Sequence, residues 1–452
     1  MADHEIVLLT FLVLFAVQFL LGRTLALINA NYIARQRGTV PDALAGSVSP
    51  EEHTRSVDYA LARTRFGHVS ALYGAGLTLV FVLPWTCFLL SLSLVWYWGL
   101  SPISTGVAEI CLFTLISMAL GLPLEIYETF WLEARFGFNK TTARTFWIDK
   151  IKGLLVSAVI GIPFLYAILA LIMFGGPLWW MWATLFVIAF QFLMMLLFPL
   201  IIAPLFNKFT PLPDGELKTS LEELARKCDF AARGIFVVDG SRRSGHSNAY
   251  FTGIGKSRRI VLYDTLIQQL SVPQLTAVLA HEIGHYKKKH ILKSLILSSL
   301  LTLAGFYVLS LVLDWVPLYQ AFAITNREDK ALGLLVCMLI AGAFTFWVGP
   351  LFHKLSRHYE YQADRYAFEQ VAPASVPVVA PASVPVVAPA SVPVVAPASV
   401  PAGRDAMSSA LLNLYKENLS TADPHPAYSA WHYSHPTLLE RLRFLKRLAR
   451  GG

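Results

Sequence analysis

The sequence predicts a mostly α-helical, polytopic membrane protein. It has about seven transmembrane helices and a small β element beside a zincin-like pair of helices. Three observations carry that expectation. Hydrophobic residues make up 55% of the 452-residue chain and charged residues only 15%, against roughly 25% charged in ordinary soluble domains; the mean hydropathy is +0.54. Seven segments stay apolar over about the 20 residues needed to cross a bilayer core. Two polar regions interrupt and follow them, and the first contains His281-Glu282-Ile283-Gly284-His285.

The expected spans are 6–28, 69–97, 104–127, 152–174, 178–204, 292–316 and 331–351. Pro84 predicts a kink or tilt in the second, and Pro199 a break near the end of the fifth. The links after the first and third spans carry Arg35, Arg37, Arg55, Arg63 and Arg65, then Arg135, Lys140, Arg144, Lys150 and Lys152. The links around 101–104 and 175–177 carry no Lys or Arg. That bias puts the N-terminus outside and both polar regions in the cytoplasm. It also accounts for the net charge of +8 without a nucleic-acid partner. The opening Met1-Ala2-Asp3-His4-Glu5 lacks a basic leader, so the first span is expected to be retained. Cys87, Cys111 and Cys337 fall in apolar runs and only Cys228 is expected near water, which leaves neither a disulfide framework nor a thiolate metal site.

The chain divides accordingly. Residues 1–204 hold the first five spans, 205–291 a cytoplasmic catalytic region, 292–351 spans six and seven, and 352–452 a second catalytic region. Within 205–291 the pattern predicts a helix at 216–229 and strands at 235–238, 248–252 and 260–263. The motif helix follows, with Ser271 as N-cap and Pro273 in its first turn. Leu275, Val278 and Leu279 recur at helical spacing, so the motif is helical. Residues 371–402 are four copies of an eight-residue unit, three of them Val-Ala-Pro-Ala-Ser-Val-Pro-Val. Proline recurs too often there for helix, and an extended, polyproline-like insert is expected.

On a helix His281 and His285 stand one turn apart on one face, and Glu282 lies beside them, placed to take a proton from a water at a metal. Catalytic zinc usually has three protein ligands. His358-Tyr359-Glu360-Tyr361-Gln362-Ala363-Asp364 puts Glu360 and Asp364 on one helical face. Glu360 can supply the third ligand, and Asp364 can accept from the far nitrogen of a ligating histidine. His290, His353 and His358 are competing donors. His290 is expected to be exposed behind Lys287-Lys288-Lys289, a run that reads as membrane-surface charge. The expected cofactor is one Zn²⁺ per chain, with Glu282 as general base and then donor to the leaving amine.

Together with Tyr433-Ser434-His435-Pro436, Leu439-Glu440-Arg441, Glu133, Gly137-Phe138-Asn139-Lys140-Thr141-Thr142 and the stretches 203–212 and 246–251, these motifs give the chain a clear likeness. It resembles the integral-membrane CAAX prenyl protease family, type I, over nearly its whole length. The resemblance implies zinc on His281, His285 and Glu360, Glu282 as base and Asp364 behind a ligand. It also implies an edge strand at Asn248, Ala249, Tyr250 and Phe251 that pairs with extended substrate, and a His435 that hydrogen-bonds the substrate or the oxyanion. The family's helices enclose a large water-filled chamber.

The implied reaction is hydrolysis of peptide bonds in membrane-associated substrates, including removal of the C-terminal tripeptide of prenylated proteins. The implied partners are a peptide or protein substrate, lipid-modified or not, and membrane lipids of a bacterial inner or endoplasmic-reticulum-type membrane. The sequence carries no signal of an oligomeric state. A membrane-protein quality-control protease with no prenyl requirement is one alternative, and a transporter or silent scaffold is another. A transporter needs polar groups within several spans, whereas these are poor in them apart from Glu109, Glu125 and Glu128. A silent scaffold would be expected to have lost Glu282 or a ligand, and all are present. The insert at 371–402 departs from the family pattern but leaves the metal motifs intact.

Overall fold

Capping residues start the long helices where the sequence turns apolar. Ser49 accepts from the Glu52 N–H ahead of Pro50, Ser101 caps the helix opening at Pro102, and the Thr142 hydroxyl accepts from the Thr145 N–H at 3.2 Å. Such caps satisfy backbone donors that have no intrahelical partner. The computed structural model describes residues 1–84, 92, 94–252, 258–371 and 403–450. Its first helices are α1 (Asp3–Ala34), α2 (Pro50–Val82), α3 (Pro102–Tyr127), α4 (Ala143–Phe174) and α5 (Trp179–Leu197).

Among the described residues, six helical runs are long and apolar enough to cross a membrane: Asp3–Ala34, Pro102–Glu133, Ala143–Phe174, Gly176–Phe206, His290–Leu313 and Lys330–Val371. The second expected span, 69–97, begins within α2 and continues into 85–91 and 93, which lie outside the described residues. The expected break at Pro199 does not occur. A wide π-helical turn, Phe198–Ile202, takes up the proline and the helix resumes at Ala203–Phe206. The extra residue in such a turn relieves the clash between the proline ring and the preceding turn.

The first polar region contains β1 (Phe209–Pro211), α6 (Glu216–Lys227), β2 (Ile235–Val238), β3 (Ala249–Thr252) and β4 (Arg259–Tyr263). The sheet order is β1-β2-β4-β3, with β2 parallel to β4 and the other pairs antiparallel. β3 therefore forms an edge among the described residues. β1 was not expected, because three residues ending in a proline show no alternation; proline is tolerated there because β1 is the opposite edge. Ile235, Ile260 and Leu262 pack against Leu221 and Leu224 of α6. Cys228, expected near water, is buried in that same cluster because α6 lays its last turn on the sheet.

Beyond the sheet come α7 (Asp264–Gln269), α8 (Val272–Lys287), α9 (His290–Leu313), α10 (Val316–Ala321), α11 (Lys330–Thr345) and α12 (Gly349–Val371). The chain then resumes with α13 (Gly403–Glu417), α14 (Pro426–His432) and α15 (Leu438–Ala449). The insert expected to be extended at 371–402 lies outside the described residues except for Val371, which ends α12. A short tight turn, Phe346–Val348, joins α11 to α12, so the last span and the helix bearing Glu360 form one run.

Arg243 ties the sheet to the bundle. Its guanidinium donates to both oxygens of Asp149 (2.8 and 3.1 Å), to Asn207 Oδ1 (2.9 Å) and to the Phe206 carbonyl (2.6 Å). Its own carbonyl accepts from the Lys140 N–H and the Thr141 hydroxyl. One side chain thus joins the ends of α4 and α5 to the sheet. At the other side of the bundle Tyr32, near the end of α1, donates to Asp423 at 3.1 Å, so α1 finishes on the face that carries the polar regions.

Candidate metal centre

The motif helix α8 begins where the Ser271 N–H donates to the Gln274 side chain at 2.9 Å. It buries Leu275, Ala277, Leu279, Ala280 and Ile283 and meets α12 at a closely packed crossing. Gly284 permits that approach. A Cβ there would stand 3.0 Å from Ala363 Cα and 3.1 Å from its carbonyl oxygen. Gly284→Val is therefore expected to force the helices apart and destabilise the protein by about 1–3 kcal/mol. Because α8 and α12 carry the donors described next, metal affinity should fall with it. Thermal unfolding and metal titration of this variant check both effects, and unchanged affinity would mean that the crossing does not set the donor spacing.

The crossing brings His281, His285 and Glu360 together, each offering one donor atom, all within 4.8 Å of one another. His281 Nε2 lies 3.4 Å from Glu360 Oε2 and His285 Nε2 3.3 Å from Glu360 Oε1. The two imidazole Nε2 atoms are 3.2 Å apart. His281 Nδ1 faces Asp364 Oδ1 at 2.9 Å, and Asp364 is fully buried. Arg441 donates from Nε to the other Asp364 oxygen at 2.9 Å. His435, two-thirds exposed, sets Nδ1 3.2 Å from Glu360 Oε2.

Burial alone would lower the His281 pKa, but its hydrogen bonds to Asp364 and Glu360 win and push it up to about 9. Without a metal, the two carboxylates hold His281 as an imidazolium. Burial raises the Glu282 carboxyl above its ordinary range, opposed by the neighbouring histidine charges.

A cavity of about 470 Å³ lies over these groups. Asn248, Ala249, Tyr250 and Phe251 wall one side and Met407, Leu411 and Leu414 of α13 the other. It shares Asn418, His435 and Arg441 with a second cavity of about 540 Å³ that extends to Tyr59 and Arg63 of α2. The His281, His285 and Glu360 cluster thus opens into a two-lobed cleft that runs from the β3 edge to a helix of the bundle.

Two side chains at the centre, Arg441 and Gln362, had no role assigned from sequence, and a third, His290, was expected only as a competing metal donor. Arg441 was noted in a motif, but its partner is remote in the chain. His290, expected to be exposed, is buried: its Nδ1 is 3.0 Å from His285 Nδ1 and its ring stacks on Tyr359 at 4.2 Å. Lys289 explains the difference, because its left-handed backbone (φ 58°) turns the chain so that the first residue of α9 points inward. Gln362 completes the set, with Oε1 2.8 Å from His290 Nε2 and Nε2 2.8 Å from His358 Nε2. The only sequence signal for this chain of contacts was the presence of two further histidines near the motifs. His353 lies apart from the centre, bonded to the Trp431 carbonyl at 2.7 Å.

Residues 29–208 match the family described as CAAX prenyl protease N-terminal, five membrane helices, and residues 211–449 match peptidase family M48. A CAAX prenyl protease 1 homolog of Arabidopsis thaliana is 35% identical over 422 residues, covering 90% of each chain. CAAX prenyl protease 1 of Saccharomyces cerevisiae is 36% identical over 434 residues, covering 90% of this chain and 88% of the relative. The crystal structure of Ste24p from S. mikatae superimposes with a TM-score of 0.84 at 31% identity, covering 98% of this chain and 99% of that one.

Proposed function

The chain belongs to peptidase family M48 as a membrane protease of the CAAX prenyl protease type, and from that premise we propose that it is a zinc endopeptidase acting at the C-termini of prenylated proteins. The observation that carries the zinc assignment is the convergence of His281, His285 and Glu360 beside Glu282 at the floor of the cleft. Two imidazoles and one carboxylate are the donor set of many zinc hydrolases. A bound zinc supplies Lewis acidity, polarising the scissile carbonyl and lowering the pKa of a water.

The chain's own residues do the rest. Glu282 takes the proton of the attacking water and passes it to the leaving nitrogen. Asp364 accepts from His281 Nδ1–H and so leaves Nε2 free for the metal; His290 fixes His285 in the same sense. The free edge of β3 offers backbone groups to an extended peptide, which Asn248, Ala249, Tyr250 and Phe251 would align across the cleft. His435 hydrogen-bonds the carbonyl oxygen as negative charge develops on it. The Lys- and Arg-rich links lie on the side of the metal centre, which supports a cytoplasmic orientation for it. The prenylated substrate class is supported by the names of the relatives.

The test compares a farnesylated CAAX peptide with its unprenylated twin, using the purified full-length protein. Cleavage of the farnesylated peptide, lost on chelation and restored by one zinc per chain, is the expected result. Equal cleavage of the two peptides would remove the lipid requirement and leave a general membrane peptidase.

A second expectation concerns protons. Because His281 is protonated below about 9 in the metal-free site, zinc entering at neutral pH must displace that proton. Apparent zinc affinity should therefore rise as pH rises towards 9, by up to about tenfold per unit from this group, and then level off. Calorimetry in buffers of different ionisation enthalpy would detect the released proton. Zinc uptake at pH 7 with no proton release would show that the carboxylates do not hold His281 charged.

A further inference from the structure

A separate cavity of about 550 Å³ opens on the neighbouring face of α12. His358, Tyr361, Gln362 and Arg365 contribute to it at i, i+3, i+4 and i+7, forming one helical stripe. Glu360, Ala363, Asp364 and Ala367 form the buried stripe beside it, towards α8. Lys288, at the end of α8, and Arg447 of α15 complete the basic rim, with Phe444 on its wall.

The cavity has a defined depth relative to the membrane. His290 is the first residue of the α9 span; it stacks on Tyr359 and bonds Gln362. The next two residues, Ile291 and Leu292, are each 50% exposed and present apolar surface outward. The stripe therefore lies beside the point where a span leaves the hydrocarbon, in the layer that lipid headgroups occupy.

Its charge is of one sign. Lys288, Arg365 and Arg447 are exposed, and none has an ion-pair partner among the described residues. No carboxylate of the described residues lines the cavity. The acids that act on Tyr361 are already engaged: Glu440 accepts from the Thr437 N–H at 2.8 Å, and Asp364 is held by Arg441. Three cations around one concavity repel each other, and an anion placed between them relieves that repulsion.

We infer that this cavity binds the phosphate of an anionic lipid headgroup at the membrane surface. The forked guanidinium groups of Arg365 and Arg447 suit two oxygens of one phosphate. Tyr361 and Phe444, with ring centroids 4.9 Å apart, offer an apolar wall to the glycerol beside it. Gln362 lines this cavity and also bonds His290, so the headgroup sits two hydrogen-bonded side chains from His285.

The experiment places the full-length protein in phosphatidylcholine bilayers doped with phosphatidylglycerol, extracts it gently, and measures retained lipid by native mass spectrometry. The wild type should retain phosphatidylglycerol in preference to phosphatidylcholine. The double variant Arg365→Gln/Arg447→Gln should retain about tenfold less, with its zinc content and unfolding temperature reporting that it is folded. Lys288→Gln, at an exposed helix end, keeps the test alive should the double variant fail to fold, and a several-fold loss is expected. Equal retention by wild type and folded variants would overturn the assignment. Displacement of the lipid by millimolar inorganic phosphate would support the phosphate site but assign it to soluble phosphate; resistance to displacement would support the headgroup.

Discussion

Glu282→Gln is expected to lower kcat for peptide cleavage by about 10²- to 10⁴-fold while leaving one zinc bound per chain. The amide keeps the shape of the carboxylate but cannot accept the proton of the attacking water. Glu282 belongs to none of the short contacts that join His281, His285 and Glu360, so removing its charge should leave the donor set intact. Metal analysis beside single-turnover cleavage separates the outcomes. Loss of zinc along with activity would make Glu282 a support for the site and not its base. Full zinc with undiminished turnover would move the base elsewhere in the cleft.

The second large effect is expected at Arg441. Asp364 is fully buried, and its two oxygens are shared between His281 and Arg441. Arg441→Met removes the permanent charge and leaves the buried carboxylate with only the titratable His281 imidazolium as its partner. Breaking a buried ion pair from one side typically costs about 3–5 kcal/mol, because the remaining ion keeps its desolvation cost. The double variant Asp364→Asn/Arg441→Met should recover much of that loss, since neither charge is then left alone. Unfolding of the metal-free protein in detergent measures the cycle. Additive effects of the two substitutions would show that the pair is not coupled. The metal-free protein is the correct state to compare, because bound zinc would add its own stabilisation and mask the difference.

Much of the architecture was legible because membrane spans and amphipathic elements are local signals. Apolar length located α1, α3, α4, α5, α9 and α11, and a short run of β-branched and aromatic residues located β2 at Ile235–Val238. Ser271 and Pro273 marked the start of α8 because capping chemistry acts within one turn. The failures have equally physical causes. Pro199 was read as a break because a single-residue rule cannot foresee that a wider turn will absorb it. His290 was read as exposed because three preceding lysines suggest water, whereas the left-handed turn at Lys289 reverses the direction of the side chain. Cys228 was expected near water from its polar surroundings, but the packing of α6 on the sheet buries it.

By itself, then, the sequence determined the membrane character, the helical repeat of the motif, and the pairing of Glu360 with Asp364 on one face, since each depends on residues within a few turns of each other. The tertiary structure decided which remote groups meet. Only the unbroken run from α11 into α12 carries Glu360 back from the seventh span to the histidines of α8. Only the docking of α15 brings Arg441 onto Asp364, and only the start of α9 sets His290 behind His285. Those contacts are set by how helices pack across a membrane, with a glycine at the crossing fixing the distance. Such packing is a property of several segments together and leaves no periodic trace in any one of them.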